Sequence, residues 1–90
     1  MNLKQLRLLL EKALSDQSRR AEHVKQFQMI VWDAGELDHR PEVDEKLREL
    51  AYDLDYYQPN ERIRAEDPSL YGDERLEDEI RSALTSLPEG

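Results

Sequence analysis

Carboxylates are the most numerous reactive side chains in this chain, and their spacing sets the first question. Glu42, Glu45, Glu49 and Asp53 step by three or four residues, so a helix would carry all four on one face. Such a row can recruit a divalent cation or meet a cationic protein. A solvated helix face is the plainer reading, because Lys46 and Arg48 interleave and dedicated Ca²⁺ loops are spaced differently. No metal and no cofactor are therefore expected. A second group, Asp55, Glu61, Glu66 and Asp67, follows directly, with Arg62 and Arg64 among them. Those arginines read as local ion pairs that pin the chain. Exposed pairs of this kind contribute only ~0–1 kcal/mol each.

Recognisable catalytic parts are missing. His23 falls on a polar helix face and His39 in a connection. No Glu-x-x-His pair, HExxH, P-loop or Gly-rich dinucleotide turn occurs. Ser15, Ser18, Ser69, Ser82 and Ser86 stand in no motif that would activate a nucleophile. The chain is expected not to be an enzyme.

Helices must position these groups. Leu3, Leu6, Leu10, Ala13 and Leu14 recur at helical spacing and predict a helix over about 2–16, widened by Leu8 and Leu9, with Asn2 as its cap. A second helix, about 18–34, buries Ala21, Val24, Phe27 and Val31, starts at Ser18 and stops at Gly35. Met29 and Ile30 broaden its stripe, and Trp32 is expected to pack in the core, with an interface anchor as the alternative. Pro41 suits the first position of a third helix, about 41–57, whose stripe is Val43, Leu47, Leu50, Ala51, Leu54 and Tyr57. Gln58-Pro59 ends it, because Pro disfavours helical geometry in the residue before it. Asp73 caps a fourth helix, about 73–87, with Leu76, Ile80, Ala83, Leu84 and Leu87 inward. The expectation is an all-α, antiparallel four-helix bundle with a long ordered loop, Gln58 to Gly72, between helices 3 and 4. A loop of that length is uncommon in a small domain and is often functional.

Ninety residues make a single domain, 1–90, with one modest core. Cysteine is absent, which excludes disulfides and thiolate metal sites and points to a cytoplasmic protein. The run "LRLLL" is short and interrupted by Arg7, so it reads as a core helix rather than a signal peptide or a membrane span. The net charge of −8 is unevenly placed: residues 1–32 carry about +3 and residues 33–90 about −11. Such a chain repels nucleic acid and anionic membrane and attracts cationic proteins.

The stretch Glu49 to Leu84, "ELAYDLDYYQPNERIRAEDPSLYGDERLEDEIRSAL", resembles the bacterial colicin-like immunity proteins. The matching parts are Tyr57-Gln58-Pro59-Asn60, then Arg64, Asp67 and Tyr71, then Glu79 to Leu84. The resemblance covers about the C-terminal half. It implies a four-helix antiparallel bundle that binds and neutralises a cognate toxin. For a ribonuclease toxin, an acidic surface would occupy the cleft whose cations hold phosphates. The family tends to carry Glu and Asp around the proline, where this chain has Gln58 and Asn60; Asp55 is kept as an acid and Glu61 stands nearby. The expected partner is thus a cationic protein, a nuclease toxin domain, met by Asp53, Asp55, Asn60, Glu61, Glu66 and Asp67 as a monomer or weak dimer. The rival expectation is an acidic helical adaptor or regulatory protein with no toxin partner.

Overall fold

The protein is described by a computed structural model covering residues 3–35 and 37–88. Asn2 as a cap, and the Glu89-Gly90 tail, lie outside the described residues. The described residues form five α-helices: α1 (Leu3–Ser15), α2 (Arg20–Asp33), α3 (Pro41–Leu54), α4 (Glu61–Glu66) and α5 (Asp73–Ser86), with a 3-10 turn at Gln17–Arg19. Among the described residues no strand forms, apart from an isolated parallel bridge between Tyr57 and Tyr71. The chain is all-α.

The long helices follow their apolar stripes. Leu3, Leu6, Leu10 and Ala13 of α1 are buried, as are Val24, Phe27 and Val31 of α2, Val43, Leu47, Leu50, Ala51 and Leu54 of α3, and Leu76 and Ile80 of α5. Leu37, Tyr71 and Leu87 close the core from the connections. α1 packs on α2 and α5, α2 packs on α3, and α3 packs on α5. The radius of gyration is 12.9 Å, close to the ~12 Å expected for a folded chain of this length.

The arginines decide how the helix ends are satisfied. The last carbonyls of a helix have no intrahelical donor and carry the negative end of its dipole. Here neighbouring helices supply the donors. Arg20, at the start of α2, donates from Nε to Ala13 O at 2.7 Å and from Nη2 to Leu14 O at 3.0 Å, closing the end of α1. Arg48 of α3 donates to Val31 O, Ala34 O and Gly35 O at 3.3, 3.1 and 3.3 Å, closing the end of α2. Arg7 of α1 donates to Leu84 O and Leu87 O at 2.9 and 3.1 Å, closing the end of α5. The Tyr71 hydroxyl donates to Asp53 O at 2.9 Å near the end of α3. Three of the thirteen cationic side chains are thereby turned onto helix ends, while Lys4, Lys12, Arg19, Lys25, Lys46, Arg62, Arg75 and Arg81 stay exposed with the acids.

Several expectations need correction. α3 stops at Leu54, three residues earlier than expected, and Asp55 to Tyr57 leave it through turn hydrogen bonds. The tertiary cause is the Tyr57–Tyr71 bridge, in which Gln58 N donates to Tyr71 O at 2.8 Å and Tyr71 N to Tyr56 O at 3.0 Å. The connection expected as a loop contains α4, capped by Asn60, whose side chain accepts from Arg62 N. Ser18 is no cap: it sits in the 3-10 turn and its hydroxyl donates to Asp16. Asp73 is the first residue of α5 rather than its cap, because its carboxylate is engaged by Arg20 and Tyr57. α2 ends with Ala34 extended, so Gly35 only follows the stop. Trp32, expected in the core, is 50% exposed, because buried Gln28 and Val31 occupy the inward positions of that turn. Ala21 and Leu8 are likewise exposed.

Candidate partner-binding surface

The segment from Asp53 to Asp73 is built around Arg64. Its Nη1 donates to Gln58 O at 2.7 Å, and Nη2 lies 3.9 Å from Glu61. The guanidinium fills the space beside Gly72, where an added Cβ would come within 2.5 Å of Nη1. Gly72 has an ordinary extended backbone, so it is the contact with Arg64, not the dihedral, that calls for glycine.

A polar chain runs from this segment into the body of the protein. The Tyr57 hydroxyl donates to Asp73 Oδ1 at 2.7 Å, and Arg20 Nη1 donates to the same oxygen at 3.1 Å. Arg20 Nη2 also lies 3.9 Å from Glu77. The hydrogen bond from Tyr57, then the contacts with Arg20, hold the Asp73 carboxyl below its usual value. Burial first, and the Asp73 carboxylate second, push Tyr57 up to about 12. Burial, helped by the charges of Asp53 and Glu79, raises Tyr71 as well. Arg75 lies over the Tyr71 ring at 5.0 Å, a cation–π contact.

The six candidate residues divide by what their side chains do. Asp53 is half-buried, with Oδ2 3.4 Å from the Tyr71 hydroxyl. Asn60 caps α4, accepting from Arg62 N at 2.9 Å. Asp67 forms a tight turn, accepting from Ser69 N at 3.0 Å and Ser69 Oγ at 2.7 Å, and these bonds hold its carboxyl below the usual value. Asp55, Glu61 and Glu66 are exposed, and Glu61 makes a loose 3.9 Å contact with Arg64. Three of the candidates thus shape the segment and three present charge to solvent.

The row on α3 holds Glu42, Glu45 and Glu49 exposed and Asp53 partly covered. Among the described residues no group of three or more His, Asp or Glu side chains is placed to hold a metal ion. No helix among them is long and apolar enough to cross a membrane.

Sequence reasoning missed Arg20 and Gln28 as inward residues. Arg20 is 2% exposed and Gln28 is 6% exposed. The signal was present, since Arg20, Val24, Gln28 and Val31 fall at i, i+4, i+8 and i+11 on one stripe. His23 also leaves the polar face: its Nε2 lies 3.2 Å from Asp16 Oδ2, and Nδ1 is buried with no hydrogen-bond partner among the described residues. Comparison with models of known protein families, with curated protein sequences and with solved structures found no match to this chain.

Proposed function

We propose that this chain is an immunity-type inhibitor that binds a basic nuclease toxin and blocks its active site with an acidic surface. The observation that carries the reading is local: Arg7, Arg20, Arg48 and Arg64 turn their guanidinium groups onto backbone carbonyls, so that Asp55, Glu61 and Glu66 stand exposed in their segment with Arg62 as the exposed cation among them. A nuclease cleft lined with cations to hold phosphates is attracted to such a surface. Preorganisation supports the same reading. Asn60, Arg64, Asp67 and Tyr71 fix the segment through hydrogen bonds before any partner arrives, which lowers the entropic cost of association. The resemblance of Glu49–Leu84 to the colicin-like immunity proteins points the same way. The proposal includes their architecture, an antiparallel bundle of α1, α2, α3 and α5, and action in the bacterial cytoplasm.

Co-expression tests this. The C-terminal domain encoded by the adjacent upstream gene is expressed with and without this protein, and surviving cells are counted. Survival only in its presence is the expected result. Equal killing in both, with expression verified, rejects the pairing and favours an acidic adaptor, as does the absence of killing in either.

A further inference from the structure

The excursion between Gln58 and Tyr71 leaves and re-enters the protein at one neck. Gln58 N donates to Tyr71 O at 2.8 Å and Tyr71 N to Tyr56 O at 3.0 Å, so its two ends are paired. Both ends are anchored. The Tyr57 hydroxyl donates to Asp73 and the Tyr71 hydroxyl to Asp53 O, and the Tyr71 side chain lies in the core. Between the ends the anchoring stops. Among the described residues, every hydrogen bond made by 59–70 begins and ends within 58–71. α4 buries no side chain and packs on none of the other helices. Its large apolar side chain, Ile63, is 42% exposed. On the returning limb, a cavity of about 250 Å³ lies between Ser69 and Asp53, Tyr56 and Arg75, so Ser69 borders open space rather than core.

Six residues of helix are too few to hold themselves. The Asn60 cap and the Asp67 turn order the two limbs locally. What ties α4 to the neck is Arg64, whose Nη1 makes a charge-assisted bond to Gln58 O at 2.7 Å while its guanidinium rests against Gly72. Elements with few buried contacts open at lower cost than the core around them, and compact loops with paired ends are often functional. We propose that 59–70 is a hinged loop that opens and closes as one unit while the long helices stay packed, with the Arg64 guanidinium as its latch. Opening breaks the bond to Gln58 O and unwinds α4. The paired neck, pinned through Tyr57 and Tyr71, remains. Glu61, Arg62, Ile63 and Glu66 ride on this unit, so those exposed side chains can be re-aimed without unfolding the core. Arg64 is then a positioning residue for them.

Amide hydrogen exchange of the ¹⁵N-labelled full chain, followed by NMR as urea is raised below the unfolding midpoint, tests this. The amides of Arg64, Asp67 and Leu70 are hydrogen-bonded within the loop. They should share one opening, at least about tenfold more frequent than that of Phe27 and Leu47. Urea should hardly change it, because little surface is exposed, whereas exchange at Phe27 and Leu47 should accelerate steeply. The neck amides of Gln58 and Tyr71 should follow the core. Ile80→Val should speed exchange at Phe27 and Leu47 about fivefold and leave the loop amides unchanged, since the loop opens with the core intact. Arg64→Ala should speed the loop amides about fivefold, and Gly72→Ala, which displaces the same guanidinium, should do likewise. The core amides gain the same factor in both variants, because global unfolding also breaks the latch. Loop amides that follow Phe27 in urea, or that respond to Ile80→Val, would overturn the proposal, since the loop would then open only with the core. Exchange of the loop amides at unfolded-chain rates, or no response to Arg64→Ala and Gly72→Ala, would overturn it as well. No partner enters the measurement, so its outcome is independent of the inhibitor reading.

Discussion

Arg20→Met separates the buried guanidinium from the stem that carries it. Methionine keeps most of the apolar stem in place, so the change removes chiefly the hydrogen bonds. Ala13 O is in the buried bond, and Leu14 O is in a part-buried one that water can partly replace. Stranding a buried acceptor costs about 1–3 kcal/mol, and a bond to a charged donor is at the upper end of net values. Asp73 is 56% exposed and loses little when its partner goes. The expected cost is about 3 kcal/mol, against a total stability of ~5–13 kcal/mol for a domain of this size. That corresponds to a fall in Tm of about 12–24 °C. Arg20→Lys should recover roughly half, because an ammonium keeps the charge without spanning both carbonyls and Asp73. Urea unfolding followed by circular dichroism at 222 nm measures this, with Asp73→Asn as the control for the exposed arm at about 1 kcal/mol or less. A cost below 1 kcal/mol for Arg20→Met would refute the claim that Arg20 closes the end of α1.

Gly72→Ala should cost about 1 kcal/mol by displacing the Arg64 guanidinium from its bond to Gln58 O, and nothing further in an Arg64→Ala background, since the two changes share one contact. A double-mutant cycle in urea checks that coupling. Trp32→Ala should change stability by less than about 1 kcal/mol, against ~3–5 for a core tryptophan, and Trp32 fluorescence should be red-shifted and readily quenched by acrylamide. For Tyr57 the folded value lies above the unfolded one, so its contribution is fully present below pH 10 and is lost as pH rises toward about 12. Tyr57→Phe should flatten that alkaline slope in urea midpoints taken from pH 9 to 12. Asp73 has the opposite sign: its contribution is present above its ordinary value of 3.8 and disappears as pH falls through the depressed folded value, so Asp73→Asn should flatten the acid limb.

The four long helices were legible because their stripes obey one period, and Leu6, Leu10, Phe27, Leu47 and Ile80 reached the core where the spacing put them. Their boundaries were less legible. α3 carries apolar Tyr57 at helical spacing, yet pairing with Tyr71 draws that residue out of the helix. α4 reads as loop in the sequence because six residues with no buried side chain have no stripe to detect, although Asn60 is an ordinary cap. Of the candidate surface, the acids were visible as charge, while the division between Asn60 and Asp67, which shape the segment, and Asp55 and Glu61, which face solvent, was not.

Periodicity, proline placement and charge count are local or additive properties of the chain, so the sequence alone determined that the protein is all-helical, acidic and free of cysteine chemistry. Hydrogen bonds between residues distant in sequence are neither. Arg7 meets Leu87, Arg20 meets Asp73, and Tyr71 meets Asp53. Only the tertiary structure decided that these donors face inward, because an arginine reads the same whether its guanidinium meets water or the open end of a neighbouring helix.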